Sequence, residues 1–390
     1  MTTVIENAKR RIAWTRSHQR LLNQLAGEFE KTKPFDGLTI GVSIHLEPKT
    51  AVLLSVLQAG GATVAATGNL GTTQDDIAEA VRETGVHIYG KRSDNRIEHL
   101  DNVRNVLRHR PRILLDNGAD LIALMVSEEE FSTEGVLGGT EETTSGGNRI
   151  RHDLAGAVPF PVIVINDSPL KLIVENKHAV GQSVVESFMR FTNLMIPGRR
   201  FVVFGYGWCG RGIAKYFKSL GGQVAVVEPD VIRALEAVVD GHLVLKLEPS
   251  LSWGSVFVTA TGAPNVITGK HFESMPDGAI LANAGHFDWE IETDALRSLA
   301  TKVEEQDEGV EEFTLPRGKR LVLLAGGRMF NLGGRAPKGN SIESMDLGFT
   351  LQALSLQWVA KRNAELQEGA QPVPHPINED AATRLLNLLT

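Results

Sequence analysis

The sequence has one cysteine, no block of like charges and no long apolar run, and each absence excludes a class of protein. Cys209 alone cannot form an intrachain disulfide or a cysteine-rich metal site. The formal charge of −7 comes from interspersed residues, so there is no basic stripe for a nucleic-acid backbone. The charged start, MTTVIENAKRRIAW, does not resemble a signal peptide, and no segment is long enough to span a bilayer. We therefore expect a soluble, cytoplasmic protein with neither nucleic-acid nor membrane partners.

The chain is long enough for two domains of ordinary size, with 390 residues and 42% hydrophobic content. Its 11 histidines include no HExxH pair and no other obvious ligand spacing, so we expect no metal site. Short apolar runs alternate with amphipathic stretches in two series, which is typical of α/β folds with parallel sheets. The first series includes LTIGVSI, TAVLLSVLQAG, ATVAAT, QDDIAEAVRETG, HIYG, RILLDNG and PVIVIND.

The second series begins at Arg200 and includes FVVFGYG, VAVVE, SVFVTATG, AILANAG and LVLLAGG. A helix-like stretch from about Lys177 to Met195 connects the two series. We therefore predict two α/β domains with ligand in the cleft between them, the later one a doubly wound parallel sheet of the Rossmann type. The predicted bounds are 1–180 with a return segment 340–364 for the first domain, 181–339 for the Rossmann domain, and 365–390 for an extended tail leading to a short helix.

A glycine-rich motif follows the first strand of the second series. Gly205, Gly207 and Gly210 form GxGxxG between the strand FVVF and a helix. The first glycine permits a tight turn, the second lets backbone amides approach a pyrophosphate, and the third allows close packing of helix and strand. Glu228 closes the next strand, where a carboxylate accepts hydrogen bonds from a ribose diol and repels a 2′-phosphate. The motif predicts NAD rather than NADP, although Arg233 lies nearby.

Several segments together resemble the adenosylhomocysteinase family, in order and at similar separations. They are SIHLEPKTAVLLSVLQAGGATV, TTQDD, EETTSG, INDSPLKLIVENKHAVGQS, FGYGWCGRGIAK, VEPDVIRALEA, FVTATGAPNVITGKHFESM, ANAGHFDWEI and LLAGGRMFNLGG. The resemblance runs from about residue 5 to about residue 360, and it implies that the first domain, 1–180, binds substrate. It implies an enzyme with a tightly bound NAD that oxidises a ribose 3′-hydroxyl, so that C4′ can be deprotonated and a 5′ substituent eliminated, before reduction restores the cofactor.

The resemblance also implies a role for each residue that matches one of the family's motifs. Lys171 would take the proton of the 3′-hydroxyl, with Asn176 holding it and Glu142 binding the ribose hydroxyls, and His45 and His286 would act as acid and base near C5′. Two further catalytic positions are Glu175 and Asn117, and the base and ribose pocket also includes Glu47, Lys49, Thr50 and Thr143. The residues predicted to bind NAD are Gly205, Gly207, Trp208, Cys209, Gly210, Glu228, Arg233, Thr143, Thr144, Ser145, Thr261, Gly285 and Asn331.

The sequence departs from the family at the 5′ site. Asn117 stands where the family has a second aspartate, and an amide cannot exchange a proton at neutral pH. Glu175 replaces an aspartate and is longer by one methylene. The loop NLGGRAPKGNSIESMD lacks the family's Gly-His-Pro. Lys49 can donate to a purine carbonyl, whereas Glu47 can accept from an adenine amino group, so the base remains open between inosine and adenosine types.

The chain ends at Thr390 without the family's usual lysine and tyrosine, which reach the NAD of a partner subunit. We expect a homo-oligomer, dimer or tetramer, that retains its cofactor less tightly. Three functions remain open. The first is a paralogue that dehydrates a nucleoside 5′-hydroxyl to a 4′,5′-alkene, as in nucleoside antibiotic biosynthesis. The second is a hydrolase of S-adenosyl- or S-inosyl-L-homocysteine in one-carbon metabolism, and the third is a noncatalytic NAD-binding regulatory relative.

Overall fold

A computed structural model of the chain describes residues 2–390, and these divide into two compact units. Unit 1 comprises residues 2–172 together with 342–390, and unit 2 comprises residues 173–341. No helix among the described residues is long and apolar enough to cross a membrane. Each unit has its own sheet, so the predicted α/β architecture with two sheets is confirmed.

Fifteen α-helices lie among residues 2–390. They are α1 Thr2–His18, α2 Arg20–Thr32, α3 Pro48–Ala59, α4 Asp75–Arg82, α5 Arg96–Leu107, α6 Asp120–Ser127, α7 Thr144–Arg151, α8 Val180–Thr192, α9 Trp208–Ser219, α10 Val231–Val239, α11 Leu247–Trp253, α12 Gly269–Phe272, α13 Thr293–Leu299, α14 Ile342–Arg362 and α15 His375–Leu389. A π-helical segment, Lys171–Ala179, precedes α8.

Fifteen strands lie in the same part of the chain. They are β1 Thr39–Ser43, β2 Thr63–Thr67, β3 His87–Tyr89, β4 Ile113–Asp116, β5 Gly138–Glu141, β6 Pro161–Val164, β7 Arg200–Phe204, β8 Gln223–Val227, β9 Leu243–Val244, β10 Val256–Thr259, β11 Ala279–Asn283, β12 Lys302–Asp307, β13 Val310–Thr314, β14 Arg320–Leu324 and β15 Gly369–Pro372.

The sheet of unit 1 has the order β15-β6-β5-β4-β1-β2-β3, and all its pairs are parallel. Its central strands β4 and β5 are buried along their whole length, as expected for parallel strands covered on both faces. The chain passes from β1 outward to β2 and β3, and then returns to β4 on the other side of β1. The carboxyl ends of β1 and β4 therefore flank a switch in strand order, where α/β sheets place their ligands.

The sheet of unit 2 has the order β12-β13-β14-β11-β10-β7-β8-β9. Its strands from β14 to β9 are parallel, and an antiparallel hairpin of β12 and β13 extends it. Phe201 and Val203 pack in a core on one face of β7, whereas Val202 and Phe204 pack in a second core on the other. This alternation explains why the strand sequences are apolar throughout.

Helix α14 brings the chain back into unit 1, where it contacts α2, α3, β4 and β5. Asp346, near the start of α14, is buried, and its two carboxylate oxygens accept from the amides of Leu21 at 2.8 Å and Leu22 at 2.9 Å. These amides belong to the first turn of α2, which offers no intrahelical acceptor for them. Asp346 therefore joins the starts of two helices that are far apart in the sequence.

Some elements differ from the sequence-based expectations. The stretch expected as one helix from about residue 177 is π-helical to Ala179 and then α-helical to Thr192, where Asn193 ends it with a φ of 50°. Residues 365–390, expected as an extended tail with a short helix, belong to unit 1: β15 pairs with β6, and α15 has 15 residues. The β12–β13 hairpin was not predicted, because KVEEQD is exposed along its length and shows no apolar alternation.

Candidate functional site

The predicted catalytic residues of unit 1 follow the carboxyl ends of neighbouring strands. His45 follows β1, Asn117 follows β4, Glu142 follows β5, and Lys171 lies beyond the turn after β6. Because these strands are parallel and adjacent, their loops emerge at one edge of the sheet. The strand order thus gathers at one edge residues that are up to 126 positions apart, from 45 to 171.

A buried ion pair lies at this edge. Lys171 Nζ is 2.5 Å from Glu142 Oε1, and both side chains are almost fully buried. The other carboxylate oxygen of Glu142 accepts from the side-chain amide of Gln352, which reaches the site from α14. A buried charge pair of this kind needs its remaining polar atoms satisfied, and Gln352 supplies one such contact. Sequence analysis missed Gln352, because nothing in the helical pattern of α14 marks one buried amide among the other core positions.

His45 and Glu47 lie between β1 and α3, and Lys49 and Thr50 follow them in the first turn of α3. The Thr50 hydroxyl donates to the carbonyl of His45 at 2.5 Å, which holds the turn together. Lys49 Nζ lies 2.7 Å from Glu47 Oε2, and both residues are buried. Burial raises the pKa of the Glu47 carboxyl, and the Lys49 ammonium opposes that rise. The two predicted base-reading residues therefore form one acceptor–donor pair.

The contacts of His45 indicate its tautomer. The Thr72 hydroxyl donates to the carbonyl of Asn69 at 2.9 Å, and it also lies 2.9 Å from His45 Nδ1. A hydroxyl has one hydrogen, so towards His45 it acts as the acceptor, and Nδ1 carries the hydrogen. The neutral ring then has Nε2 as its basic nitrogen, as a proton-transferring histidine requires.

Asn117 is buried next to Asn69. Asn69 Nδ2 donates to the Asn117 carbonyl at 2.7 Å and lies 3.3 Å from Asn117 Oδ1. The acids that end β4 and β5 lie in the same region. Asp116 accepts from the amides of Asn117 and Ile122, both at 2.9 Å. This carboxylate is therefore committed to backbone donors, and it holds the turn that carries Asn117 in place.

Glu141 is the second of these acids and is fully buried. It accepts from the amides of Gly118 and Ala119 at 3.0 Å and from the amide and hydroxyl of Thr143 at 2.8 and 2.6 Å. Burial, with the nearby Asp116 carboxylate, raises the pKa of Glu141 to about 8. Glu141 thus links the loops after β4 and β5. The sequence stretches RILLDNG and EETTSG contain Asp116 and Glu141, but their pattern assigned no role to these two acids.

Three residues predicted to contact the nicotinamide lie at the start of α7. Thr143 is the helix N-cap and accepts from the Gly146 amide at 2.9 Å. Thr144 Oγ1 accepts from Asn166 Nδ2 at 2.6 Å, and Ser145 Oγ lies 3.1 Å from Thr143 Oγ1. Their hydroxyls are ordered by neighbouring residues of unit 1, and their contact with the cofactor stays a prediction.

The glycine motif of unit 2 has the geometry of a dinucleotide loop. Gly205 has a φ of +93°, and a Cβ at Gly210 would lie 2.0 Å from the Gly205 carbonyl oxygen. At Gly207, by contrast, a Cβ would meet nothing within 4 Å. The space above the N-terminus of α9 is therefore open, and no side chain caps this helix. These residues fit a pyrophosphate, which backbone amides at a helix N-terminus bind.

Residues around this loop fit the rest of NAD. Glu228 accepts from the amides of Tyr206 at 2.6 Å and Asp230 at 2.9 Å, which fixes the carboxylate predicted to bind the ribose. Arg233 is exposed and 4.0 Å from Asp230. In the loop itself, the Trp208 ring lies 5.0 Å from the Arg211 guanidinium, and Cys209 is half-buried.

The loops after β10 and β11 are held by a buried acid that sequence analysis missed. Glu290 accepts from the Thr261 amide and hydroxyl at 2.9 and 2.7 Å and from the Gly262 amide at 2.8 Å. Burial raises the pKa of Glu290. A Cβ at Gly285 would lie 1.7 Å from Glu290 Oε1, so only glycine fits there. Glu290 thus holds Thr261 in place and packs closely against Gly285, whose amide donates to Asn283 Oδ1 at 2.8 Å.

The other predicted residues of unit 2 lie elsewhere in it. Asn331 Nδ2 donates to Ser183 Oγ at 3.1 Å, while its Oδ1 is buried with no hydrogen-bond partner among residues 2–390. Such an acceptor fits the carboxamide of a nicotinamide.

Asn340 Nδ2 lies 3.4 Å from Glu175 Oε1, a contact that the sequence pattern did not predict. Asn176 is buried, as is Glu175, and the ring of His286 packs against Phe287.

Family models match both parts of the chain. The model for S-adenosyl-L-homocysteine hydrolase matches residues 3–136, and the model for its NAD binding domain matches residues 176–336. The chain is 44% identical over 375 residues to the S-inosyl-L-homocysteine hydrolase of Methanopyrus kandleri, covering 95% of this chain and 88% of that protein. It is 42% identical over 375 residues to the adenosylhomocysteinase of Archaeoglobus fulgidus, covering 96% and 92%.

These matches confirm the resemblance found in the sequence and the prediction of NAD as cofactor. They confirm an enzyme of the adenosylhomocysteinase type, and they show no dehydratase. The roles of individual site residues stay predictions. With family models over both parts of the chain and close relatives over nearly all of it, this chain belongs to the S-adenosyl-L-homocysteine hydrolase family.

Proposed function

We propose that this chain hydrolyses a purine nucleosyl-L-homocysteine to the nucleoside and homocysteine, through transient oxidation at the ribose 3′-carbon. The observation that carries the proposal is the buried pair of Lys171 and Glu142 at the edge of the parallel sheet. Both side chains are buried, so this pair can exchange a proton with a bound hydroxyl with little competition from water. The homo-oligomer expected from the sequence is part of this proposal.

The side chains have separate tasks in this reaction. NAD, when bound, accepts a hydride from the 3′-carbon and later returns it. Lys171 takes the proton of the 3′-hydroxyl, and Glu142 binds the ribose hydroxyls beside it. His45, with a basic Nε2, exchanges protons near C5′ as the thioether leaves and water adds, and His286 shares this task. The proton lost from C4′ is later replaced there by one from an exchangeable group, and return of the hydride to the 3′-carbon leaves no net oxidation.

The pair of Glu47 and Lys49 fits the edge of a hypoxanthine base. Its O6 can accept from the Lys49 ammonium, and its N1–H can donate to the Glu47 carboxylate. Adenine offers the reverse arrangement, with a donor at N6 and an acceptor at N1. We favour hypoxanthine, because a carbonyl oxygen with two lone pairs can accept more than one ammonium hydrogen. Relatives named S-inosyl-L-homocysteine hydrolase, from Methanopyrus kandleri and Methanocaldococcus jannaschii, support this choice, whereas those named adenosylhomocysteinase support the alternative.

The experiment is a comparison of products by mass spectrometry. Purified, NAD-loaded protein is incubated separately with S-inosyl-L-homocysteine, S-adenosyl-L-homocysteine and the two free nucleosides. We expect homocysteine from the thioethers, with a higher kcat/KM for the inosyl compound. Homocysteine from neither thioether would contradict the hydrolase, and a preference for the adenosyl compound would contradict only the choice of base.

A second candidate is the dehydration of a nucleoside 5′-hydroxyl to a 4′,5′-alkene. Asn117 favours it, because an amide replaces the carboxylate that could activate water for addition to the alkene. The neighbouring acids Asp116 and Glu141 accept from backbone amides and hold loops, so neither is arranged to replace that carboxylate. A nucleoside product lighter by one water, without homocysteine from either thioether, would establish this function.

A further inference from the structure

The side-chain amide of Gln352 has one orientation in the core of unit 1. Gln352 is 0% exposed and lies on α14, the helix that packs on β4 and β5. Its Nε2 donates to Glu142 Oε2. Because an ionised carboxylate only accepts hydrogen bonds, the amide nitrogen must face it, which directs Oε1 away. Among residues 2–390, Oε1 has no hydrogen-bond partner.

Burying the Gln352 Oε1 atom without a hydrogen-bond donor costs free energy, and the hydrogen bond made by Nε2 must offset that cost. A hydrophobic side chain of the same length would avoid the cost. The amide at position 352 therefore contributes nothing to packing that an apolar residue could not, and its specific contribution is the hydrogen bond to Glu142.

This hydrogen bond fixes the second oxygen of a carboxylate whose first oxygen is already engaged. Glu142 Oε1 is 2.5 Å from Lys171 Nζ, and Oε2 accepts from Gln352. The last torsion of a glutamate is broad when nothing restrains it. With one partner on each oxygen, the carboxylate plane is set, and with it the position of the ammonium.

We propose that Gln352 is the positioning residue of the Lys171–Glu142 pair, acting through Glu142 on both the orientation of the base and the binding of the ribose hydroxyls. The inference rests on the proposed function, in which Lys171 is the base. It adds a residue from the far end of the chain, since residue 352 follows Glu142 by 210 positions. Unit 1 is then completed for catalysis only when the return segment folds onto it.

The test replaces Gln352 by methionine, which is similar in length and cannot donate. The matched control is Thr350→Val on the same helix, because Thr350 is fully buried and its hydroxyl has no partner among residues 2–390. In the NAD-loaded protein mixed with inosine, Gln352→Met should slow the appearance of NADH about 10- to 100-fold, the usual effect of losing a hydrogen bond to a charged group. NAD affinity should stay unchanged, and Thr350→Val should match the wild type in both.

A double-mutant cycle with Glu142→Gln separates positioning from a general packing defect. If Gln352 acts through Glu142, the double variant should be little slower than Glu142→Gln alone. Effects of Gln352→Met that multiply with those of Glu142→Gln, or an unchanged rate in Gln352→Met, would overturn the proposal. If the wild type forms NADH with neither inosine nor adenosine, the proposed function fails instead, and the same cycle on the calorimetric affinity for inosine still decides whether Gln352 acts through Glu142.

Discussion

Placing alanine at Gly207 should weaken cofactor binding without disturbing the fold. Gly207 has a φ of −70° and a ψ of −171°, which any residue adopts, and its Cβ would meet no protein atom within 4 Å. A methyl group there would occupy the open space where backbone amides approach the pyrophosphate. Losing one charge-assisted contact weakens NAD binding by about 10- to 100-fold, or roughly 1.4–2.8 kcal/mol.

Gly210→Ala is the matched comparison, because its Cβ would lie 2.0 Å from the Gly205 carbonyl oxygen. Normal contact requires a shift of more than an ångström, which costs about 1–3 kcal/mol in a packed region. Gly210→Ala should therefore lower both apoprotein stability and NAD affinity, whereas Gly207→Ala should lower only the affinity.

The assay is calorimetric titration of each apoprotein with NAD, together with thermal unfolding with and without NAD. For the wild type, NAD at 100 times its Kd adds about 2.7 kcal/mol to the stability of the state that binds it, and a tenfold weaker affinity removes about 1.4 kcal/mol of this. Normal NAD affinity in Gly207→Ala, or a marked fall in its apoprotein stability, would refute the placement of the cofactor.

Four further predictions concern unit 1. Lys171→Ala should abolish NADH formation on addition of inosine while NAD affinity in titration stays normal, since Lys171 lies outside the dinucleotide loop. Lys49→Met should destabilise the protein by about 3–5 kcal/mol in urea unfolding, because it removes the cation that offsets the burial of the Glu47 carboxyl, and the added change Glu47→Gln should recover much of this. Burial raises the pKa of Asp346 from 3.8 to about 6. The protonated carboxyl therefore contributes stability that is complete below pH 3.8 and lost as the pH rises through 6. Asp346→Asn should flatten that part of the curve of unfolding free energy against pH. Asn117→Asp should raise the rate of hydrolysis over dehydration in product analysis, and an unchanged product ratio would show that position 117 does not control water addition.

The sequence was sufficient where one local pattern determines the structure. The apolar strands of both sheets could be predicted because they are buried on both faces, and the loop around Gly207 could be predicted because its spacing, strand and helix occur together. The β12–β13 hairpin and β15 could not, since exposed or short edge strands have no apolar periodicity.

The contacts that order the site were also beyond the sequence pattern. Gln352, Asn340 and Glu290 act on partners up to 210 positions away, and a helical or strand period does not show which buried polar residue faces which partner. The resemblance to a family supplied the positions that touch ligand, such as Lys171 and Glu142. The supporting residues emerged only when the strand order and α14 were known.

The most direct test of the proposed chemistry is hydrolysis of S-inosyl-L-homocysteine in heavy water, followed by mass spectrometry and NMR of the nucleoside. Transient 3′-oxidation removes the C4′ hydrogen and returns one from an exchangeable group. We therefore predict released homocysteine together with inosine that carries deuterium at C4′. Homocysteine with inosine that retains its original C4′ hydrogen would mean direct displacement at C5′, and would contradict the account.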